Sequence, residues 1–392
     1  MVDTFGLDVK QVTFGPRHHF FGYIGQSQTI PWNGTGRYIL GLRTDFQDHM
    51  PGAGEAADVI LLDAHNEYSI EVIEQTQGWN PQQGTMFYWN PESPDTQFFF
   101  NDRDPETQKV FAVLYDIAEG RRIREYRYED TPFGNSGVAQ NGGYFLGLNY
   151  ARMARLRLVT GYLGTADWTE EVAHPEDDGV FKANVNTGEK ELIVSFAQMA
   201  EILADHYPHI DTTPLFINHT LWNRNDDRIY FYARGHFGSK ESSVNMPFTV
   251  NPDGSNLTVQ SVFIGGHPEW LEGDQILGHN EDDLIIYDTT RQEIVNTLGD
   301  PAVFRNPGGD NSFSPDGKWI INGSGPKGGT VYVMYRLADG VWAKTATFDQ
   351  GEWLSGDLRC DPAPCWNRTS DQVLFPSISQ DGTRQMFLMT RQ

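Results

Sequence analysis

Two short stretches set a histidine three residues ahead of a tryptophan. "NHTLW" holds His219 before Trp222, and "GGHPEW" holds His267 before Trp270. Neutral imidazole is a general base near neutral pH and a good metal ligand. The same offset from an aromatic falls on Asp310, before Phe313, and on Ala363, before Trp366, with Asp361 two residues earlier than Ala363. His267, Asp310 and Asp361 would make a nitrogen and oxygen ligand set, whose oxygens favour a hard divalent cation such as manganese or calcium. The two aspartates are also candidates for the paired carboxylates of a glycoside hydrolase.

A second group lies in "NYARMARLR" (149–157), which offers Asn149, Tyr150, Arg152 and Arg155, with Tyr162 just beyond. On a strand Tyr150 and Arg152 share a face; on a helix Arg152 and Arg155 are neighbours. This set suits β-elimination from a uronic acid. The proton α to a uronate carboxylate is weakly acidic, so a cation must neutralise the carboxylate as the enolate develops. A histidine or tyrosine then takes the proton. Trp79 and Gln82 in "QGWNPQQG" and Arg103 in "FNDRD" are candidates for sugar contacts, because an aromatic face beside amide donors suits a pyranose. Asn218 stands next to His219 and is a further substrate contact. "HPEDDGVF" (174–181) reads as a turn or a cation site.

These residues need a scaffold, and a repeat supplies one. "SPDGKWIING" (314–323) is a turn followed by an apolar strand: Pro presets φ, Asp bonds its own backbone and Gly takes positive φ. Relatives begin at "WNGTGRYILGL", "WNPESPDTQFFF", "AQNGGYFLGL", "WNRNDDRIYFY", "WLEGDQILGH" and "WNRTSDQVLF", which makes seven units. Second strand-like runs such as "DVILLDAHNE" and "VYVMYRLADG" lie between them. A unit of several strands at this length is blade-sized, so the expectation is an all-β protein, a single seven-bladed β-propeller over residues 1–392. "SFAQMAEILADHY" (195–207) has helical spacing and predicts a short helix inserted at about 195–210. "VKQVTF" (9–14) is expected to add an outer strand to the last blade and so hide an edge.

The net charge of the 392-residue chain is −24, which argues against nucleic acid and anionic membrane as partners. No apolar run reaches the length of a membrane span. Seven arginines nevertheless fall between positions 121 and 157. The two cysteines, Cys360 and Cys365, sit in "CDPAPC" and are either a small disulfide or two thiols. Their place in one Pro-rich turn disfavours a Cys-His nucleophile. No Gly-rich phosphate loop, GxSxG elbow or HExxH motif occurs. Five sequons, at Asn33, Asn218, Asn256, Asn322 and Asn367, are weak evidence for secretion. The expectation is a secreted or periplasmic protein, with any leader absent from this sequence, and a monomer.

The "SPDG" turns resemble those of Tol-type, WD40-like propellers. The last four units resemble oligogalacturonate lyases, seven-bladed propellers that cleave uronic-acid oligosaccharides by β-elimination with a manganese ion and a histidine base. That resemblance implies a base role for His219 and a metal-ligand place for His267. The final unit departs from it, with Asp361 and Ala363 where the family has a pair of histidines. "HHFFGYIG" (18–25), "NYARMARLRLVTGY" (149–162) and "PEDDGVF" (175–181) resemble segments of a propeller group without assigned activity. If that group is enzymatic, the likeness implies roles for His18 or His19, Arg152, Arg155, Tyr162 and His219. The expectation is a lyase acting on an acidic carbohydrate, with a hydrolase or a non-catalytic binding propeller as alternatives.

Overall fold

The computed structural model describes residues 5–22, 29–236, 239, 242–300, 302–304, 307–325 and 329–392. The end of the "HHFFGYIG" segment lies outside them. The fold is an all-β propeller with two short α-helices, α1 (Tyr150–Leu156) and α2 (Phe196–Leu203). α2 lies within the expected insertion. It begins on a full capping box, in which Ser195 accepts from the Gln198 backbone and the Gln198 side chain answers to Ser195. No helix among the described residues is long and apolar enough to cross a membrane.

The strands form antiparallel meanders in chain order. The described residues give five four-stranded sheets and one eight-stranded sheet. Seven separate sheets were expected. The difference has one cause: the fifth and sixth meanders are joined edge to edge by a parallel bridge between His267 and Asp310. The N-terminal strand Leu7–Gln11 pairs with Arg384–Arg391, so the last sheet is completed by the start of the chain, as expected. Across this closure Arg368 Nε donates to the carbonyls of Trp32 and Asn33, and His19 Nδ1 bonds Gln385 Oε1 at 2.9 Å.

The repeated aromatic has a physical task. Trp89 Nε1 donates to Pro31 O, Trp222 to Gly137 O, Trp270 to Leu221 O and Trp366 to Ser312 O, at 2.7–3.2 Å. Each indole fills the seam between two meanders and satisfies a buried carbonyl of the meander before it. The residue after the tryptophan builds the turn. The side-chain carbonyls of Asn33, Asn223 and Asn367 each accept two backbone N–H groups, four and five residues on. In "SPDGKW" Ser314 Oγ takes this place, accepting from Trp319 N at 2.9 Å.

A second device recurs just before the aromatic. Met86, His219 and Ala363 each stand three before their tryptophan, and each has positive φ, at 57°, 58° and 39°. In the fifth meander the left-handed residue is Gly266, one place earlier. The strand pairing shifts at two of these points, between Asn218 and Leu221 and between Gly265 and Glu269. A bulge re-aims the side chain beside it. Here it turns the residue ahead of the seam toward the first strands of neighbouring meanders, which contact each other.

Four of the five sequons are closed to modification: Asn33, Asn218 and Asn322 are each 1% exposed and Asn367 is 8% exposed. Only Asn256 is open. The sequons therefore give little support to export. Replacing Trp270 by Phe removes the donor to Leu221 O together with part of the ring that fills the seam. The expected loss is about 1–2 kcal/mol in chemical denaturation, and an unchanged midpoint would contradict a structural role for the indole N–H.

Candidate active site

The first strands of the fourth, fifth and sixth meanders bring three of the expected residues together. The rings of His219 and His267 lie 4.7 Å apart between centroids, tilted by 48°. His267 Nδ1 donates to Asp310 Oδ1, and Asp310 Oδ2 accepts from the Ala363 backbone at 2.7 Å. The carboxylate thus fixes the tautomer and orientation of His267. Asp361 lies near this group: Arg359 Nε donates to its Oδ1 at 2.6 Å, while its Oδ2 is buried without a partner.

His219 is the unusual member. It is 7% exposed, holds a left-handed backbone and has a buried Nδ1 with no hydrogen-bond partner. Left-handed φ costs a residue with a Cβ about 1–2 kcal/mol. Burial pushes its pKa well below the ordinary 6.5, and His267, Arg234, Arg157 and Arg359 push the same way. His219 is therefore neutral at pH 7, with a polar atom facing unfilled bonding capacity.

Those three arginines were not among the expected site residues. Arg157 caps the C-terminal end of α1. Burial and Arg359 draw it down to about 10. Arg234 is drawn to about 10 by burial; its Nε donates to Asn245 and its guanidinium lies 4.6 Å over the Tyr232 ring. The signal for Arg234 was parity: Tyr230, Tyr232 and Arg234 alternate along one strand and share a face. Arg359 stands two residues before Asp361. The three guanidiniums stand against the carboxylates of Asp310, Asp361 and, beside Arg157, Asp357.

The donor set does not fit the expected divalent cation. Among the described residues no group of three or more His, Cys, Asp or Glu is placed to hold a metal. Both oxygens of Asp310 are engaged, and one oxygen of Asp361 is held by a guanidinium. The positive charge that a metal would bring is already supplied by arginine.

The second expected group lies elsewhere and is structural. Arg152 is fully buried, and its guanidinium donates to the Leu215, Thr169, Val172 and Ala173 carbonyls and to the Thr169 hydroxyl while lying 4.5 Å over Phe196. It ties the helices to the sheet and, fully buried, offers no donor at the surface for a substrate. Arg155 pairs with Asp167 at 2.8 Å. Asn149 caps α1 and donates to Asp167 and Asp178. Tyr150 and Tyr162 stack at 4.5 Å, both buried, with hydroxyls bonded to Asn135 O and Asn101 Nδ2. Burial raises the pKa of both phenols, which removes them as bases.

The sugar contacts expected near the second unit are corrected in the same way. Trp79 is 1% exposed and donates to Glu55 O, so its faces are core rather than platform. Gln82 is buried in a turn held by Asn80. Arg103 donates to Leu163 O and Gly52 O. His18 accepts from the Arg384 backbone and His19 bonds Gln385, so both serve ring closure. Asn218 is buried beside His219, with its Oδ1 unpartnered. In "HPEDDGVF" Asp178 is buried and accepts from Asn149, Thr169 and Gly179, a turn and not an ion site. Cys360 and Cys365 are free buried thiols, and burial pushes Cys360 up to about 11.

No protein-family profile and no curated protein matches the chain in sequence. Solved structures match in fold. An oligogalacturonate lyase in complex with manganese superposes with a TM-score of 0.63 at 14% identity, over 100% of this chain and 97% of that one. The β-propeller domain of Cps50 (Swd1) from Myceliophteria thermophila gives 0.52 at 11% identity, over 96% and 99%. TolB from Acinetobacter baumannii gives 0.44 at 11% identity, over 87% and 78%. The first two likenesses agree with the β-propeller fold.

The strain at position 219 is open to test without substrate. His219→Gly is expected to be more stable than His219→Ala by about 1 kcal/mol, because glycine adopts left-handed φ freely. The reverse order in thermal unfolding would contradict the left-handed backbone.

Proposed function

We propose that the chain is a lyase that cleaves a uronic-acid-containing glycan by β-elimination. It does so on a seven-bladed propeller, each half of the eight-stranded sheet counting as one blade. One observation carries the reading: a neutral, hydrogen-bond-deficient histidine sits inside a cluster of three arginines in an otherwise acidic protein. Such a point attracts a carboxylate and holds a base next to it.

The chemistry follows from this arrangement. Arg157, Arg234 and Arg359 bind the uronate carboxylate and stabilise the charge that moves onto it. His219 takes the proton from the carbon α to the carboxylate. The released electron pair forms the new carbon–carbon double bond, and the β carbon–oxygen bond breaks toward the leaving sugar. A charge on His267 disfavours one on His219. The proton gained at His219 passes by way of His267, steadied by Asp310, to the leaving oxygen. Carboxylate binding offsets the arginine field and raises the basicity of His219 when the proton is to be moved.

The full-length likeness in fold to an oligogalacturonate lyase supports the same class. Glycoside hydrolysis is less well served: it needs two carboxyl groups facing one bond, and Asp310 and Asp361 face a histidine and an arginine.

Mixing the protein with uronate oligosaccharides is expected to raise the ultraviolet absorbance of unsaturated uronate. His219→Gly and Arg359→Gln are each expected to lower kcat/KM by about 100-fold or more. Chelator treatment is expected to leave the rate unchanged, and metal dependence would contradict the arginine cluster as the carboxylate site. New reducing ends without absorbance would favour hydrolysis, and binding without turnover a recognition module. The base must be neutral, so the acid limb of kcat/KM is expected below 6.5, the ordinary imidazole value.

A further inference from the structure

Two arginines stand at the same place in the repeat, two residues after a seam tryptophan: Arg224 after Trp222 and Arg368 after Trp366. Their uses differ. Arg224 lies 4.4 Å over the Phe313 ring and spends its terminal nitrogens on the carbonyls of Phe313, Ser314 and Pro315. Arg368 closes the ring of meanders with Nε alone, which donates to Trp32 O and Asn33 O. Among the described residues nothing accepts from its two terminal nitrogens. They stay within reach of solvent, because the side chain is only half-buried and neither nitrogen is enclosed. Burial draws the pKa of Arg368 down, with Asp95 pulling the other way, and among the described residues no carboxylate forms an ion pair with it. Two N–H groups in one plane, unspent, match a carboxylate.

The surroundings indicate what else such a ligand carries. Arg368 lines a groove of about 260 Å³ at the closure seam, together with Trp32, Thr35, Thr369, Asp371 and Gln372. That is just below the usual span of small-ligand sites, on the order of 300–1,000 Å³, and suits an occupant the size of a monosaccharide. Asp371 is exposed and holds Asn367 and Thr369 through Oδ1, which leaves Oδ2 as an acceptor. Gln372 donates to Thr390 through Nε2, which leaves its Oε1. The Thr35 hydroxyl donates to Asn33 Oδ1 and can still accept. These acceptors suit hydroxyl groups, and the charge of Asp371 opposes a second negative charge on the ligand. Arg368 also borders a hollow of about 130 Å³ walled by Ile30, Trp89, Pro91 and Pro94. The seam groove is about twice as large, and its wall is polar.

We propose that the seam groove binds a monoanionic sugar acid, at a site separate from the His219 cluster. Arg368 takes the carboxylate, and Asp371, Gln372 and Thr35 take the hydroxyls. Arg368 stands two residues after its tryptophan and His219 three before, which sets the two positions roughly 15 Å apart along the strand direction. The groove needs no chemistry at His219, so it stands whether or not the cluster is catalytic.

The test follows the Arg368 Nε–Hε signal by nitrogen-15 NMR, identified by its loss in Arg368→Gln. The probe is glucuronate, a monosaccharide with no glycosidic bond to cleave. It is expected to shift the signal in wild type and equally in Arg359→Gln, which alters only the candidate active site. Glucose, isovalerate and inorganic phosphate are each expected to bind at least about tenfold more weakly. Thr35→Glu keeps Arg368 and sets a competing carboxylate in the groove, and is expected to weaken glucuronate binding about tenfold. No shift with glucuronate, loss of the shift in Arg359→Gln, or binding unchanged in Thr35→Glu would overturn the proposal. Isovalerate bound as well as glucuronate would move the site to the apolar hollow and overturn it too, and phosphate bound as well would reduce it to a general anion site. None of these outcomes depends on the base at His219, so the two readings fail separately.

Discussion

The fold depends on the indole seam. A tryptophan at the end of a first strand donates its only N–H to a carbonyl of the preceding meander, and its ring closes the gap between the two sheets. This fixes both register and orientation, because the indole N–H is the side chain's one donor. Once the tryptophan is placed, the bulge three residues before it has one direction in which to send its side chain. The histidine-before-tryptophan spacing in "NHTLW" is therefore a consequence of sheet packing. In "GGHPEW" the glycine before the histidine takes the left-handed turn, and His267 is left to bridge to the next meander.

The same geometry explains why polar residues crowd one place. Met86 and Ala363 occupy the equivalent kink with apolar side chains, which shows that the position itself asks for no chemistry. His219 accepts left-handed strain and burial there, and returns no hydrogen bond from Nδ1. A residue that lowers stability in this way is characteristic of a site retained for function. The arginines around it are interleaved with the carboxylates of Asp310, Asp357 and Asp361.

Much of the scaffold was legible in the residues. The turn chemistry of "SPDG" and "WN" and the N-terminal closing strand follow from local propensity and from the need to cover edges. The merging of the fifth and sixth meanders was not legible, since one bridge between His267 and Asp310 depends on how closely two strands approach. The proximity of His219, His267 and Asp310 came from aligning repeats. Arg152, Tyr150 and Tyr162 misled because their types suit catalysis while their surroundings do not: each is sealed in the core with its hydrogen bonds made. Arg157 and Arg359 come from a helix end and a loop, outside the repeat, so spacing alone had no means of selecting them.

The central claim is that His219 is an uncharged base in a carboxylate-binding cluster. Its imidazole can be followed by nitrogen-15 NMR across a pH titration, with and without a uronic acid. The account requires a neutral ring in the free protein at pH values below the ordinary midpoint of 6.5, and an upward shift once uronate occupies the arginines. A ring that titrates at or above the ordinary value, or one indifferent to uronate, would contradict it.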